Sequence, residues 1–209
     1  MASERIAAKR AALRLRIIEV ALKEFSARGF EATTTIDIAN QLQMTGPALY
    51  HYFGTKDELL FACLEQTLDQ QVAEVSAAAS GDLPPSERLD KVVRAQVAFE
   101  LKQGSSAPLI NAHLYGPQYL TDMLSRERRE ILRAKQRALV HLYRGLISEG
   151  MDSGVFESAN VAVAAFNVLA LIQYTGVWYR PKRGRKVFDV VEAQVAAVRR
   201  LLGAPIATT

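Results

Sequence analysis

One cysteine, Cys63, among 209 residues excludes a disulfide within the chain and a structural zinc site built from several cysteines. Its position in an apolar helical stretch reads as a buried, inert thiol. The three histidines, His51, His113 and His141, are far apart and belong to no HExxH string, so no metal site is expected. No phosphate-cradling GxGxxG or GxxxxGK string occurs, and no cofactor is expected. Asp122, Glu127, Glu130 and Glu149 fall on one charged helix and read as a solvated face, not as an acid–base pair. Long apolar runs are missing too. The longest, Val161 to Ile172, is too short to span a bilayer and contains Asn167. The N-terminus is charged and amphipathic, without the apolar core of a signal peptide. A cytoplasmic protein with no membrane partner is the expectation. Convincing strand alternation, internal repeats and low-complexity tracts are also absent.

What the sequence does contain is ordinary for a globular chain: 49% hydrophobic and 23% charged residues, with a net charge of +4. That composition excludes wholesale disorder and permits a nucleic-acid partner without demanding one. The basic residues are unevenly spread. Arg5, Lys9, Arg10, Arg14 and Arg16 crowd the N-terminus against Glu4 alone, and Arg180, Lys182, Arg183, Arg185 and Lys186 form a second run.

The dominant period is helical. Leu13, Ile17, Ala21 and Phe25 recur every four residues, and Gly29 stops that helix. Thr33, Thr34 and Thr35 offer N-cap hydroxyls for a short helix near Ile36 to Leu42 that buries Ile38 and Ala39. Gln43 and Met44 make a turn. Thr45 caps a third helix, Pro47 suits its first turn, Leu49 and Phe53 face inward, and Gly54 ends it. Thr55 to Glu58 is a capping box that opens a fourth, longer helix. Gly81 to Pro85 is the clearest linker. Further helices are expected over Ser86–Gln103, Pro108–Tyr115, Leu120–Glu149, Asn160–Trp178 and Val187–Leu202.

Two short helices joined by a tight turn make a helix-turn-helix. The second is short enough to enter a major groove with its N-terminal residues at base edges. Thr45, Gly46, Ala48, Tyr50 and His51 project outward from it. Small residues there allow close approach, the threonine methyl suits thymine, and the phenol and imidazole suit phosphates. Thr34 and Lys56 sit at the starts of flanking helices, where backbone N–H groups and the dipole attract phosphate. The fold class is therefore all-α. Residues 1–56 are expected to form a three-helix DNA-binding domain, and residues 57–209 a larger helical domain, to which the resemblance described next gives ligand binding and dimerisation.

The string from Phe25 to Ala39, followed by Met44 to Leu59, resembles the DNA-binding domain of TetR-type regulators, over Arg14 to about Leu60. The resemblance implies base contacts near Thr34, Thr45, Gly46, Pro47 and Ala48, phosphate contacts from Tyr50, His51 and Lys56, and a place for Thr35 among the DNA-binding residues. It also implies a ligand pocket in the C-terminal helices, a homodimer, palindromic operator DNA, and repression relieved by a small effector. Gly176-Val-Trp-Tyr-Arg-Pro181 is similar to TetR-type regulators of fatty-acid and steroid catabolism, some of which respond to acyl-CoA thioesters. Helical position and resemblance together nominate Phe99, His113, Tyr143, Gln173 and Trp178 as pocket residues for an apolar effector, with acyl-CoA as one candidate. Trp178 reads equally as a dimer-interface or core aromatic, and His113 as a core or surface histidine. The alternative function is a helical enzyme or carrier of an apolar ligand, but no nucleophile or acid–base pair supports it.

Dimerisation has its own basis in the residues. Asn160–Trp178 is apolar on most sides, and Val187, Val190, Val191, Val195, Val198 and Leu202 form a second apolar row. Two such pairs make a four-helix interface. The expected partner-facing positions are Ala165 and Val195.

Overall fold

Side-chain caps set where the helices begin. Thr34 Oγ1 accepts from the Asp37 N–H at 3.1 Å while the Asp37 carboxylate accepts from the Thr34 N–H at 2.9 Å, a complete capping box. Thr55 Oγ1 accepts from the Glu58 N–H at 3.0 Å, and Glu58 reaches back to the Gly54 N–H at 3.0 Å. Asn160 Oδ1 accepts from Ala162 and Val163 N–H groups at 2.9 and 3.1 Å. The computed structural model describes residues 2–116, 124–157, 160–180 and 187–204. It is all-α, with no strand among the described residues. The helices are α1 (Ala2–Arg28), α2 (Thr35–Gln41), α3 (Gly46–Tyr50), α4 (Lys56–Ala79), α5 (Pro85–Gln103), α6 (Ala107–Leu114), α7 (Arg126–Asp152), α8 (Val161–Gln173), α9 (Thr175–Trp178) and α10 (Val187–Leu201). The beginning expected for α7 near Leu120 lies in 117–123, outside the described residues.

The chain divides into two compact units. The first comprises residues 1–67 and 108–130. Ile17, Ala21 and Phe25 of α1 are fully buried in it, as are Ile38, Ala39, Leu49, Phe53, Leu59 and Leu60. Gly29 adopts φ +86°, the left-handed conformation that ends α1. Cys63 is buried, its Sγ 3.5 Å from the Ile18 carbonyl oxygen, and burial pushes its thiol well above the ordinary range.

The second unit comprises residues 68–107 and 131–209. Leu89, Val93 and Val97 of α5, Leu139, Tyr143 and Ile147 of α7, Ala165, Val168 and Ile172 of α8, and Val191, Val195 and Val198 of α10 share one core. Each large aliphatic side chain so buried contributes about 1.5–3 kcal/mol. Two paired guanidinium–carboxylate clasps tie α5 to α10. Arg94 holds Glu192 at 2.7 and 2.9 Å, and Arg199 holds Asp90 at 2.9 and 2.6 Å.

Two expectations are corrected by the structure. The helix expected to run from Asn160 to Trp178 breaks at Tyr174. A Cβ on Gly176 would lie 2.6 Å from the Glu100 carbonyl oxygen and 3.0 Å from the Ala107 side chain, so only glycine permits this approach. Gln194 fixes the turn further, donating to Thr175 Oγ1 at 2.9 Å. The break also bears on the 18-residue span Val161–Trp178, which by length and composition alone resembles a membrane helix. It is not one straight helix, and Ala164, Ala165, Val168, Leu169 and Ile172 are packed inside the unit. Those same residues correct the second expectation. Ala165 and Val195 face the protomer's own core, not a partner. The outward stripe of α8 is Val163, Phe166, Ala170 and Tyr174.

Candidate nucleic-acid interface and buried polar cluster

Thr45 Oγ1 lies 3.4 Å from the Ala48 N–H, a loose cap that leaves the methyl at the surface. Thr45, Pro47, Tyr50 and His51 are exposed, and Gly46 and Ala48 partly so. Leu49 and Phe53 are buried beneath them, which fixes the rotation of α3. Gln43, with φ 55°, makes the tight turn, and the Met44 N–H donates to the Ala39 carbonyl at 2.9 Å. The hydroxyls of Thr35 and Tyr50 lie 3.1 Å apart, joining α2 to α3 across the outer surface. Thr34 is exposed but already engaged by Asp37. Thr34 and Arg28 hold that carboxyl below the usual range. Lys56 is only partly exposed. Its ammonium donates to the carbonyls of Phe30 and Glu31 at 2.9 and 3.3 Å and lies 4.3 Å from the Phe30 ring centroid. An ammonium has three donors, so two pin the turn after α1 and one is unengaged among the described residues.

The five nominated pocket residues are divided between the two units. Tyr143 is fully buried in the core of the second unit. Phe99 is buried on α5, and Gln173 is half-buried at the end of α8. Trp178 is 53% exposed and lines an open groove of about 420 Å³ with Asp189, Val190, Ala193 and Gln194. His113 belongs to the first unit. Burial lowers its pKa, and its Nδ1 lies 2.9 Å from the Leu109 carbonyl oxygen. Its Nε2 has no hydrogen-bond partner among the described residues. Of the basic run, Arg180 folds back onto the Val177 carbonyl at 2.7 Å, and 181–186 lie outside the described residues.

Around Tyr143 the core holds polar groups that the sequence reading does not single out. Glu100 Oε1 accepts from Gln71 Nε2 at 2.8 Å and from Gln96 Nε2 at 3.3 Å. Burial pushes the Glu100 carboxyl up to about 8, with the two amides pulling the other way. At neutral pH it is therefore a neutral acid. Tyr143 OH and Gln96 Oε1, both fully buried, have no hydrogen-bond partner among the described residues. Each such orphan costs about 1–3 kcal/mol. The signal was available in the sequence: Leu89, Val93, Gln96 and Glu100 follow one helical stripe, so its last two members lie inside.

Residues 17–63 match the family profile of bacterial regulatory proteins of the tetR family. Residues 82–202 match that of the tetracyclin repressor-like C-terminal domain. The transcriptional repressor KstR2 of Rhodococcus jostii is 25% identical over 186 residues, 88% of each chain. The regulator HbdR of an Aromatoleum strain is 38% identical over 85 residues, 41% of this chain and 37% of that protein. A tetR-family regulatory protein from Rhodococcus RHA1 superposes with a TM-score of 0.83 at 25% identity, over 92% of this chain and 98% of that one. AibR, solved with isovaleryl coenzyme A and operator DNA, shares the fold with a TM-score of 0.78 at 23% identity, over 92% and 99%.

Proposed function

From the premise that the chain belongs to the tetR family of bacterial regulatory proteins, and is a DNA-binding transcriptional regulator rather than an enzyme, we propose that it is a homodimeric repressor released from a palindromic operator by an apolar effector. The carrying observation is the small, outward face of α3 over a fully buried Leu49 and Phe53. Thr45, Gly46, Pro47 and Ala48 meet base edges. Tyr50, His51 and the third N–H of Lys56 meet phosphates, and Thr34 and Thr35 flank them. Residues 1–56 carry the DNA contacts, and the remainder carries effector binding and dimerisation. Such a regulator acts beside its operator, in the cytoplasm. The test is operator binding by fluorescence anisotropy. Substituting Ala48 with serine is expected to change the preferred base at one position, by about 1–3 kcal/mol of discrimination. An unchanged preference at every position removes Ala48 from the base-reading set.

The effector belongs in the second unit. The orphaned Tyr143 hydroxyl and Gln96 carbonyl, beside a neutral Glu100, suit an uncharged hydroxyl or oxo group on an otherwise apolar skeleton. An anionic end fits poorly beside a carboxyl and is left outside. An acyl-CoA meets this description, with its acyl part inside and its phosphates in solvent. The complex of AibR with isovaleryl coenzyme A supports that class, and KstR2 of Mycobacterium tuberculosis, a ketosteroid regulator, supports an apolar skeleton bearing an oxo group. Phe99 lines the apolar part. Gln173 is an additional candidate in this unit, His113 falls in the first unit and is not assigned to this site, and exposed Trp178 is assigned to the subunit interface. Acyl-CoA thioesters are expected to weaken operator binding about 5–150-fold. Tyr143→Phe should blunt the response to hydroxy- or oxo-acyl thioesters about tenfold, the worth of one hydrogen bond, without changing operator affinity in their absence. A response to no thioester discards the effector class and leaves the DNA assignment standing.

A further inference from the structure

Helix α1 begins far ahead of the core it serves. Its first fully buried residue is Ile17, yet the helix starts at Ala2. At 1.5 Å per residue, the stretch from Arg5 to Ile17 projects about 18 Å. Every residue from Glu4 to Arg16 is exposed except half-buried Leu13. Five of them are basic and one is acidic, so this stretch carries a net +4, the same as the net charge of the entire chain. Its cations form two rows. Arg10 and Arg14, four residues apart, lie over aromatic rings at the end of the helix-turn-helix. Arg10 is 6.0 Å from the centroid of Tyr52, and Arg14 is 4.9 Å from that of Phe53. Arg5, Lys9 and Arg16 fall within about 40° of one another on a different face, given 3.6 residues per turn. None of the three makes an ion pair or hydrogen bond through its side chain among the described residues.

An exposed row of unpaired cations gains nothing from its own fold. The ring contacts of Arg10 and Arg14 hold the stretch beside the turn that follows α3, the element assigned to the bases. We propose that the first four turns of α1 are a second DNA-binding element, a basic arm whose Arg5, Lys9 and Arg16 bind backbone phosphates next to the recognised groove. Arg10 and Arg14 are positioning residues that fasten the arm to the recognition helix. The arm adds affinity and no base preference, because phosphates carry no sequence information. Its role rests on the operator-binding reading, and the controls separate the two.

The test compares two double variants that remove the same charge. Arg5→Ala with Lys9→Ala alters the arm, and Lys91→Ala with Arg133→Ala alters exposed positions of the second unit. Alanine keeps the arm helical, and circular dichroism checks that it does. Operator affinity is measured as a function of salt. Each phosphate that is no longer neutralised lowers the log–log slope by about 0.9. For the arm variant the expected fall in slope is about 1.8 or more, with at least a tenfold weaker affinity at low salt and an unchanged base preference. The control pair should leave the slope within about half a unit of wild type. Equal slopes for the two variants overturn the arm. So does an arm variant that keeps its operator slope but no longer binds vesicles of anionic phospholipid. A wild-type protein that binds no palindromic duplex at all overturns the operator reading instead.

Discussion

Phe166→Glu is expected to turn a dimer into a folded monomer and to cost the protein roughly 10²–10⁴ in operator affinity. Phe166 is 60% exposed at the middle of the α8 stripe, between Val163 at 55% and Tyr174 at 52%. On α10, Val187 and Phe188 are exposed as well. A protomer alone leaves these apolar side chains in water. A second copy, packing the same two helices about a two-fold axis, would cover them in a four-helix interface. A carboxylate at its centre would have to be buried without a partner, which such an interface does not tolerate. In the protomer the same carboxylate sits in solvent, so folding is spared. The DNA penalty follows from linkage of two half-site readers. Once one is bound, the second acts at an effective concentration near millimolar, and losing that linkage forfeits about 10²–10⁴ in avidity. Sedimentation velocity and operator anisotropy on the same sample check both parts. A variant that still sediments as a dimer at micromolar concentration removes α8 from the interface.

Glu100→Gln should stabilise the protein by up to about 3 kcal/mol at pH 7. The unfolded chain ionises this carboxyl near its ordinary value of 4.5, while burial in the fold holds the proton until about 8. The folded pKa is the raised one. The contribution of Glu100 is therefore most favourable below pH 4.5 and is lost progressively as pH rises to about 8, after which it is constant. Each pH unit within that window corresponds to about 1.4 kcal/mol. A glutamine side chain has the same shape and no proton to lose, and its amide supplies a donor beside Gln96 Oε1. Chemical denaturation at pH 5, 7 and 8.5 measures the effect. Wild type should lose stability across the series relative to the variant, and parallel curves would mean that Glu100 is not buried as a neutral acid. The same substitution alters the groups available to an effector, so stability and effector response are to be read separately.

Much of the local structure was legible because its causes are local. Thr34, Thr55 and Asn160 were readable as caps, and each bonds the N–H groups that its position in the chain dictates. The same holds for Leu49 and Phe53, whose spacing of four turns the outer face of α3 toward solvent. What the sequence concealed depends on distant partners. The break at Tyr174 arises because Gly176 must approach the backbone of Glu100, a residue 76 positions earlier. The facing of α8 was hidden for another reason: a helix apolar on most sides has no unique inner stripe, and neighbours alone select Ala165 over Phe166. Lys56 reads in the sequence as a candidate phosphate contact. That two of its donors hold the turn at Phe30 and Glu31 followed only from the fold. The Gln71–Gln96–Glu100 cluster joins two helices, so its hydrogen bonds are not legible in the sequence, although the α5 stripe runs through two of its members.

The buried state of Cys63 has a practical consequence for measuring this protein. Its thiol is fully enclosed and held protonated, so maleimides and methanethiosulfonates find no native target. The wild-type chain already serves as a cysteine-free background for labelling chemistry. A single cysteine introduced at exposed His51 becomes the one addressable thiol in each subunit. Paired spin labels there would report the separation of two recognition helices as a distance distribution from unmodified cores.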